Sequence, residues 1–362
     1  MLLEFVLTSI IVLLSVIWIL WKYHFQKIQK LPPGPKKIPI FGSLPFFPKE
    51  VKESKKRMQV WMKEEYGPIS CLQSMWQENI VFISDIDLIK DVLKKSEASA
   101  RPKEKKPFHE FRFGDSEGHV RGILNSSGKE WQEQRRFTLK HLKDFGFGKS
   151  SMETLIQDEV DKLIAFLEKD CGKPLNLNLK MNLAVLNGLW YILVGESLEL
   201  DDEKLHNLLA NFDKALRLNR RPSILKRIMM VIHPQLTKWF DEDYKIFKKL
   251  FDDIASIVKP YITNHQNSLD SDADPKDFMD VYLNEVSKTS DLKSSFHGQR
   301  GEESLISTMT DLFLAGTETT TSSLLWAILC LLHYPEVQAK VQDEIDHVIG
   351  SSGKKAHYIK IH

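Results

Sequence analysis

The chain has 362 residues, enough for one large domain or two ordinary ones. Fifty basic and 49 acidic residues leave a formal charge of +1, so the overall charge gives no indication of nucleic-acid binding. The three cysteines, Cys71, Cys171 and Cys330, have no paired spacing. This pattern excludes a disulfide framework and a cysteine-built zinc site, and it fits a reducing compartment.

The N-terminus begins with an apolar run, which extends from Phe5 to Trp21 without a charge. Its length is close to the roughly 20 residues that span a bilayer as a helix. Lysines follow the run, whereas a secretory signal peptide has its positive charges before it. We therefore interpret residues 1–21 as a transmembrane signal anchor, with a cleaved signal peptide as the alternative. The positive-inside rule then predicts a body that faces the cytosol.

Residues 22–48 are basic and contain six prolines, which predicts a stiff, extended linker between the anchor and the body at 49–350. The stretch "PISCLQSMWQENIVFIS" predicts two strands separated by the turn Gln77-Glu78-Asn79. A short amphipathic helix follows, entered through Ser84 or Asp85.

The rest of the body is predicted to be helical, because apolar residues recur at three- and four-residue spacing. The segments with this spacing are 128–145, 151–170, 202–218, 241–262, 277–286 and 335–350, the last closed by Gly350. The fold class is therefore mainly α with a small β element. The basic, apolar segment Arg220–Phe240 fits either a membrane surface or a helical corner that packs on the core.

Trp131 and Arg135 are four residues apart and share one helix face. An indole N–H and a guanidinium in this arrangement can converge on one anion, such as a carboxylate. The alternative is a tryptophan that packs into the core beside a solvated arginine, and spacing alone favours it.

A long predicted helix, Glu302–Leu332, is interrupted by polar residues at its middle. Glu318 and four threonines at 317 and 319–321 follow the small residues Ala315 and Gly316. Small side chains let a bulky group approach the helix, and a hydroxyl beside a carboxylate can relay protons. A helix–helix crossing with a satisfied Glu318 and a second membrane span at 312–332 are the alternatives.

Together these stretches resemble one family. They are "LPPGP" after an anchor, "ARP" at 100–102, residues 122–149, "AGTETT" at 315–320 and residues 333–350. Their order and spacing are similar to those of the microsomal haem-thiolate monooxygenases, the cytochromes P-450. The likeness is greatest to the branch that includes drug-metabolising enzymes and fatty-acid epoxygenases. The resemblance implies the fold of that family and haem as cofactor.

The resemblance also implies roles for single residues. Trp131 and Arg135 match the pair that binds a haem propionate, and Arg101 matches a further propionate partner. Ala315 and Gly316 match the residues that pass over the haem. Glu318 and Thr319 match the acid–alcohol pair that delivers protons for O–O cleavage. Residues 108–124 and 205–220 correspond to segments that line the substrate pocket.

The sequence departs from the family where the haem iron should be held. The family's ligand is a cysteine in a Phe-x-x-Gly-x-Arg-x-Cys-x-Gly loop, and none of the three cysteines has that context. No arginine follows Arg300, so the family's Glu-x-x-Arg helix is not found either. Residues 351–362 resemble no family motif, and we interpret them as an abrupt replacement. We expect these 362 residues to be inactive alone and to expose apolar surface.

Two hypotheses on function follow. The first is a monooxygenase anchored in the endoplasmic reticulum that acts on fatty acids, steroids or foreign lipophiles, with electrons from an NADPH reductase. The second is a non-catalytic anchored form that binds the reductase or a full-length relative through Lys140, Lys143 and Lys149. A polytopic membrane protein is a third, weaker alternative, because it leaves the ordered motifs unexplained.

Overall fold

The structure is a computed structural model, and it forms two compact units, Met1–Ser99 and Ala100–His362. The residues that it describes are 15, 31–38, 42–48, 55–73, 79–101, 112–113, 120–149, 151–169, 172–174, 177–199, 203–217, 242–269 and 273–350. The predicted anchor, apart from Ser15, lies outside this set, as do the segment 220–240 and residues 351–362.

The first unit contains the small β element. Its elements are α1 (Lys55–Tyr66), β1 (Ile69–Gln73), β2 (Asn79–Ile83) and α2 (Ile86–Leu93). The two strands are antiparallel, with Ile69 opposite Ile83 and Gln73 opposite Asn79. The prediction of two strands is confirmed, except that Asn79 begins β2 instead of ending the turn.

Two local contacts explain how this unit forms. The Asp85 side chain accepts hydrogen bonds from the N–H groups of Asp87 and Leu88 at 3.1 and 3.0 Å, which confirms the predicted N-cap of α2. In the linker, the carbonyl of Pro33 accepts a hydrogen bond from the N–H of Cys71 at 2.8 Å. A Cβ at Gly34 would lie 1.8 Å from the Cys71 oxygen, so this approach to β1 requires glycine.

All the regular secondary structure in the described residues of the second unit is helical. Its helices are α3 (Gly128–Asp144), α4 (Ser151–Lys169), α5 (Leu177–Val194), α6 (Glu203–Arg217), α7 (Glu242–Ser268), α8 (Phe278–Lys288), α9 (Gly298–His333) and α10 (Pro335–Ile349). Seven of these eight correspond to predicted helices, and Gly350, with φ of 89°, ends α10 as expected. Helix α9 is longer than predicted at both ends.

Helix α5 is the element that the sequence analysis did not identify. Its apolar residues surround the whole helix, so it lacks the one-sided spacing on which the other predictions depend. The helix packs against α4, α6, α8 and α9. Its Trp190 is fully buried, and the indole meets Tyr261 of α7 and Phe313 of α9 edge to face, at centroid distances of 5.7 and 6.1 Å.

Among the described helices, α5 is also the one long and apolar enough to cross a membrane, with 61% of its span buried inside the protein. Burial of this kind is typical of a core helix in a water-soluble body. The described part of α9 that contains 312–332, the alternative second span, does not meet the same criterion.

Apolar surface is exposed at the C-terminal end of the described chain, in agreement with the expectation from sequence. Trp326 and Leu332 on α9 are 66% and 70% exposed, and Val337, Val341 and Ile345 follow along α10 at 43%, 40% and 45%. Exposed aromatic and aliphatic side chains on consecutive helices form the type of surface that a partner element usually covers.

A buried polar network joins α3 to α8 and α9. The Gln134 side chain, with no exposed surface, accepts hydrogen bonds from Tyr282 Oη at 2.8 Å and from Thr308 Oγ1 at 3.3 Å. Its amide nitrogen donates to Ser295 Oγ at 2.9 Å. Burial raises the pKa of Tyr282 well above its ordinary value, so the phenol remains a donor.

We predict that Gln134→Leu lowers the free energy of unfolding by about 2–3 kcal/mol, because it leaves the buried Tyr282 hydroxyl without its acceptor. Gln132→Leu, on the exposed side of the same helix, is the matched control and should change it by less than about 0.5 kcal/mol. Chemical denaturation measures both. Equal unfolding midpoints for the two variants would contradict the assigned network.

Candidate functional site: the middle of helix α9

The hydroxyl groups at the middle of α9 bond back to the preceding turn. Thr317 Oγ1 donates to the Phe313 carbonyl at 2.5 Å, and Thr319 Oγ1 donates to the Ala315 carbonyl at 2.8 Å. Such bonds satisfy a hydroxyl within the helix and often bend it slightly. Glu318 is half-buried, and its Oε1 accepts a hydrogen bond from Ser322 Oγ at 2.9 Å. Thr317, Glu318 and Thr319 are thus satisfied within α9 itself, whereas the buried Thr321 Oγ1 has no hydrogen-bond partner among the described residues.

An apolar cavity of about 470 Å³ lies beside this interruption, between α4, α5 and α9. Ala315 and Gly316 line it, together with Thr320 one turn beyond Gly316. Glu318 and Thr319 are not among its lining residues, and neither are Arg101, Trp131 and Arg135. Glu318 and Thr319 therefore do not line this cavity, although Thr319 lies one turn beyond Ala315 on the same face of α9. Thr320 was not singled out from sequence, although its i+4 spacing from Gly316 places both on one face.

Gly316 also serves the packing of two helices. A Cβ at this position would lie 2.8 Å from Leu189 Cδ2 of α5. The small residue therefore permits the close approach of α5, so the helix-crossing interpretation is correct for this side of Gly316. Ala315 is exposed, and so is Thr319 one turn later. An open strip along α9 thus remains available to a ligand.

Asp311, one turn before Ala315, fixes the segment that precedes α3. Its Oδ1 accepts a hydrogen bond from Arg112 Nη2 at 2.6 Å, and both side chains are 5% exposed. Its Oδ2 accepts the backbone N–H groups of Ile123 and Leu124, each at 2.8 Å. A Cβ at Gly122, where φ is +90°, would lie 2.5 Å from that oxygen. One carboxylate therefore holds residues 112 and 122–124 against α9.

A second ion pair fixes the start of α3. Arg121 Nη1 donates to Glu130 Oε2 at 2.8 Å, and Arg121 Nε lies 3.7 Å from Glu303 Oε2 of α9. Burial raises the pKa of the Glu130 carboxyl, and the adjacent Arg121 opposes that shift. Neither Asp311 nor Arg121 was identified from sequence, since single charges without periodicity give no signal of a distant partner.

The predicted anion-binding residues lie near the N-terminal end of α3. The backbone N–H of Arg101 donates to Ser127 Oγ, directly before α3, at 2.7 Å. The Arg135 guanidinium lies over the Trp131 ring, 5.7 Å from its centroid. Arg101 and Arg135 are exposed and Trp131 is half-buried. The structure confirms that Trp131 and Arg135 share one helix face, where their side chains contact each other. Anion binding at this face remains a prediction.

A second cavity, of about 260 Å³, is lined in part by one of the two segments predicted to line a substrate pocket. Phe113, within 108–124, lines it together with Phe251 of α7 and with Ile306 and Thr310 of α9. Residues 205–217, the described part of the other predicted segment, do not line it.

The described cysteines lie in contexts that do not suit a haem ligand. Cys71 is buried in β1, and its thiol donates to the Leu72 carbonyl at 3.6 Å. Cys330 is exposed on α9, about three turns beyond Thr319. Cys171 lies outside the described residues.

Taken singly, these residues have chemistry that suits haem, an amphiphilic, planar group that carries carboxylates, although Arg101, Trp131 and Arg135 do not line the cavity at α9. Exposed guanidinium groups and an indole N–H at α3 suit the carboxylates. The small residues and the apolar cavity at α9 suit the ring. The described cysteines provide no thiolate for the iron.

Comparison with known proteins agrees with this chemistry. The family model described as Cytochrome P450 matches residues 32–359. Cytochrome P450 2J1 of Oryctolagus cuniculus is 35% identical over 93% of this chain and 65% of its own length. Cytochrome P450 2J2 of Homo sapiens is 34% identical over 90% of this chain and 62% of its own length. Cytochrome P450 2C11 of Rattus norvegicus is 32% identical over 91% of this chain and 63% of its own length. The chain thus spans less than two thirds of the length of these relatives. By the family match and these identities, it belongs to the cytochrome P450 family.

Proposed function

We propose that this chain supplies the distal side of a haem-dependent monooxygenase that inserts one oxygen atom from dioxygen into a lipophilic substrate. The observation that carries the proposal is the position of the polar interruption of α9. It lies beside an apolar cavity and begins about two turns beyond Asp311, the carboxylate that binds residues 123 and 124 to that helix. Family membership supports the same reaction class.

Each predicted residue then has a defined task. Arg101, Trp131 and Arg135 hold the propionate carboxylates through charge-assisted hydrogen bonds. Ala315 and Gly316 leave room for the ring. Haem, when bound, supplies the activation of dioxygen and the transfer of one oxygen atom.

The proton path uses two side chains of α9. Thr319 Oγ1 delivers a proton only after it releases the Ala315 carbonyl, to which it now donates at 2.8 Å. Glu318 resupplies that proton, and Ser322, which donates to Glu318 Oε1 at 2.9 Å, orients the carboxylate. Because the Thr319 bond is within one turn, a rotation about χ1 is sufficient to break it.

In this proposal neither Cys71 nor Cys330 would hold the haem iron, because Cys71 is buried in β1 and Cys330 is exposed about three turns beyond Thr319. The same proposal places the chain at the endoplasmic reticulum, with the anchor at 1–21 and the body in the cytosol. An NADPH-dependent reductase donates the electrons, and the substrate is a lipophilic small molecule.

We predict that Arg135→Ala weakens haem binding about tenfold or more, the loss expected for one charge-assisted hydrogen bond. Arg136→Ala is the matched control, because Arg136 is the next residue and is equally exposed. Titration of the purified chain with haem, followed by absorbance, gives both dissociation constants. Equal constants for the two variants would remove Arg135 from the site.

A non-catalytic anchored form that binds the reductase is the second candidate. The observation that favours it is the exposure of Lys140, Lys143 and Lys149 on α3 and directly after it. These cations form a surface suited to an acidic partner.

We predict that reversal of these three lysines to glutamate weakens co-precipitation with the reductase by about tenfold at low salt. The control carries the same change of charge at exposed lysines elsewhere, Lys288, Lys293 and Lys340. If the first variant binds the reductase as well as the unchanged chain does, α3 is not the docking surface. If both variants lose binding equally, the loss comes from the change in net charge and not from these three positions.

A further inference from the structure

A cluster of one histidine and two aspartates lies where α7 ends and α8 begins. His265 is in the last turn of α7, Asp277 is the N-cap of α8 and Asp280 is in its first turn. His265 Nε2 lies 2.9 Å from Asp277 Oδ2 and 4.0 Å from Asp280 Oδ1. The ligand-type atoms of all three side chains are within 4.8 Å of one another.

The other polar atom of each side chain is held by the main chain. His265 Nδ1 lies 2.7 Å from the Tyr261 carbonyl, which fixes that nitrogen as the N–H donor. Asp277 Oδ1 accepts the N–H of Asp280 at 2.9 Å, and Asp280 Oδ2 accepts the N–H of Lys276 at 3.0 Å. The remaining nitrogen and two carboxylate oxygens are the ligand-type atoms that lie within 4.8 Å of one another. A backbone carbonyl on the second ring nitrogen is the usual support of a metal-bound histidine.

The site is enclosed rather than spread over the surface. The side chains of His265, Asp277 and Asp280 are 14%, 5% and 17% exposed. A Cβ at Gly195, where φ is +72°, would lie 3.0 Å from Asp277 Oδ2, so glycine keeps the space beside that oxygen free. The imidazole distinguishes the cluster from a group of acidic residues, because nitrogen ligands favour zinc over magnesium and calcium.

From this geometry we infer that His265 Nε2, Asp277 Oδ2 and Asp280 Oδ1 form a Zn²⁺ site that joins α7 to α8. Bonds of about 2.0–2.1 Å in a tetrahedral site place neighbouring ligand atoms about 3.3 Å apart. The two distances from Nε2, 2.9 and 4.0 Å, lie on either side of that value. Small rotations of the two carboxylates therefore complete three of four positions, and water takes the fourth.

The exchange of ligands on Nε2 is balanced in charge and atoms. Without the ion, both ring nitrogens face acceptors, the Tyr261 carbonyl at Nδ1 and Asp277 Oδ2 at Nε2. Zn²⁺ takes the Nε2 lone pair, and the Nε2 proton passes to solvent. Two carboxylates and a neutral imidazole leave the occupied site without net charge, which suits its burial.

The test is a zinc titration of the purified full chain, stripped of metal and kept in detergent without haem, so its outcome is independent of the proposed function. We expect one Zn²⁺ per chain, an increase in Tm with zinc and none with magnesium. His265→Gln should weaken this binding about tenfold or more. His347→Gln, on the exposed face of α10, is the matched control and should bind as the unchanged chain does.

Asp277→Asn is a second variant, which keeps the test decisive if His265→Gln fails to fold. Asparagine retains the N-cap of α8 and removes the charge. We expect the metal-free Tm of this variant to lie within a few degrees of that of the unchanged chain. Zinc should not increase its Tm. Co²⁺, as a spectroscopic substitute, should give tetrahedral absorption bands in the unchanged chain and not in His265→Gln. Zinc binding of equal affinity in all variants, or an unchanged Tm at saturating zinc, would overturn the assignment and leave a His–Asp ion pair.

Discussion

The arrangement of the second unit depends on the carboxylate of Asp311. A buried charge is costly unless it is paired and hydrogen-bonded, and Asp311 has both kinds of partner in Arg112 and the N–H groups of Ile123 and Leu124. Gly122 leaves the space that this requires. Since Asp311 lies one turn before Ala315, the same contact holds residues 122–124 beside that part of α9, while α3 itself meets α9 at Ser304 and Thr308.

Helix α9 combines structural and functional roles on different faces. Gly316 lets Leu189 of α5 approach, while Ala315 and Thr319 remain exposed on an open strip. Threonines that bond back to the helix satisfy their own hydroxyls and need no partner from outside. A helix built in this way tolerates polar residues at its centre and keeps them available for proton transfer in the proposed monooxygenase.

Sequence patterns predicted the elements whose signal is local. The N-cap Asp85, the two strands and the amphipathic helices follow from residues within one or two turns. Helix α5 was missed because it is apolar on all sides, and the contacts of Asp311 join residues almost two hundred positions apart. Ala315, Gly316, Trp131 and Arg135 were found from spacing and resemblance. Thr320, Arg121 and the cluster at His265 required the fold, since their partners lie on other helices.

The central claim is that these residues build the distal side of a haem site and that neither Cys71 nor Cys330 serves its iron. Its most direct test is the reduced, carbon-monoxide difference spectrum of the chain supplied with haem. Our account predicts no thiolate-shifted Soret band, because Cys71 is buried in β1, Cys330 is remote on α9 and Cys171 lacks the sequence context of the family's ligand loop. A thiolate-shifted band would show that one of the chain's own cysteines reaches the iron and would contradict the account.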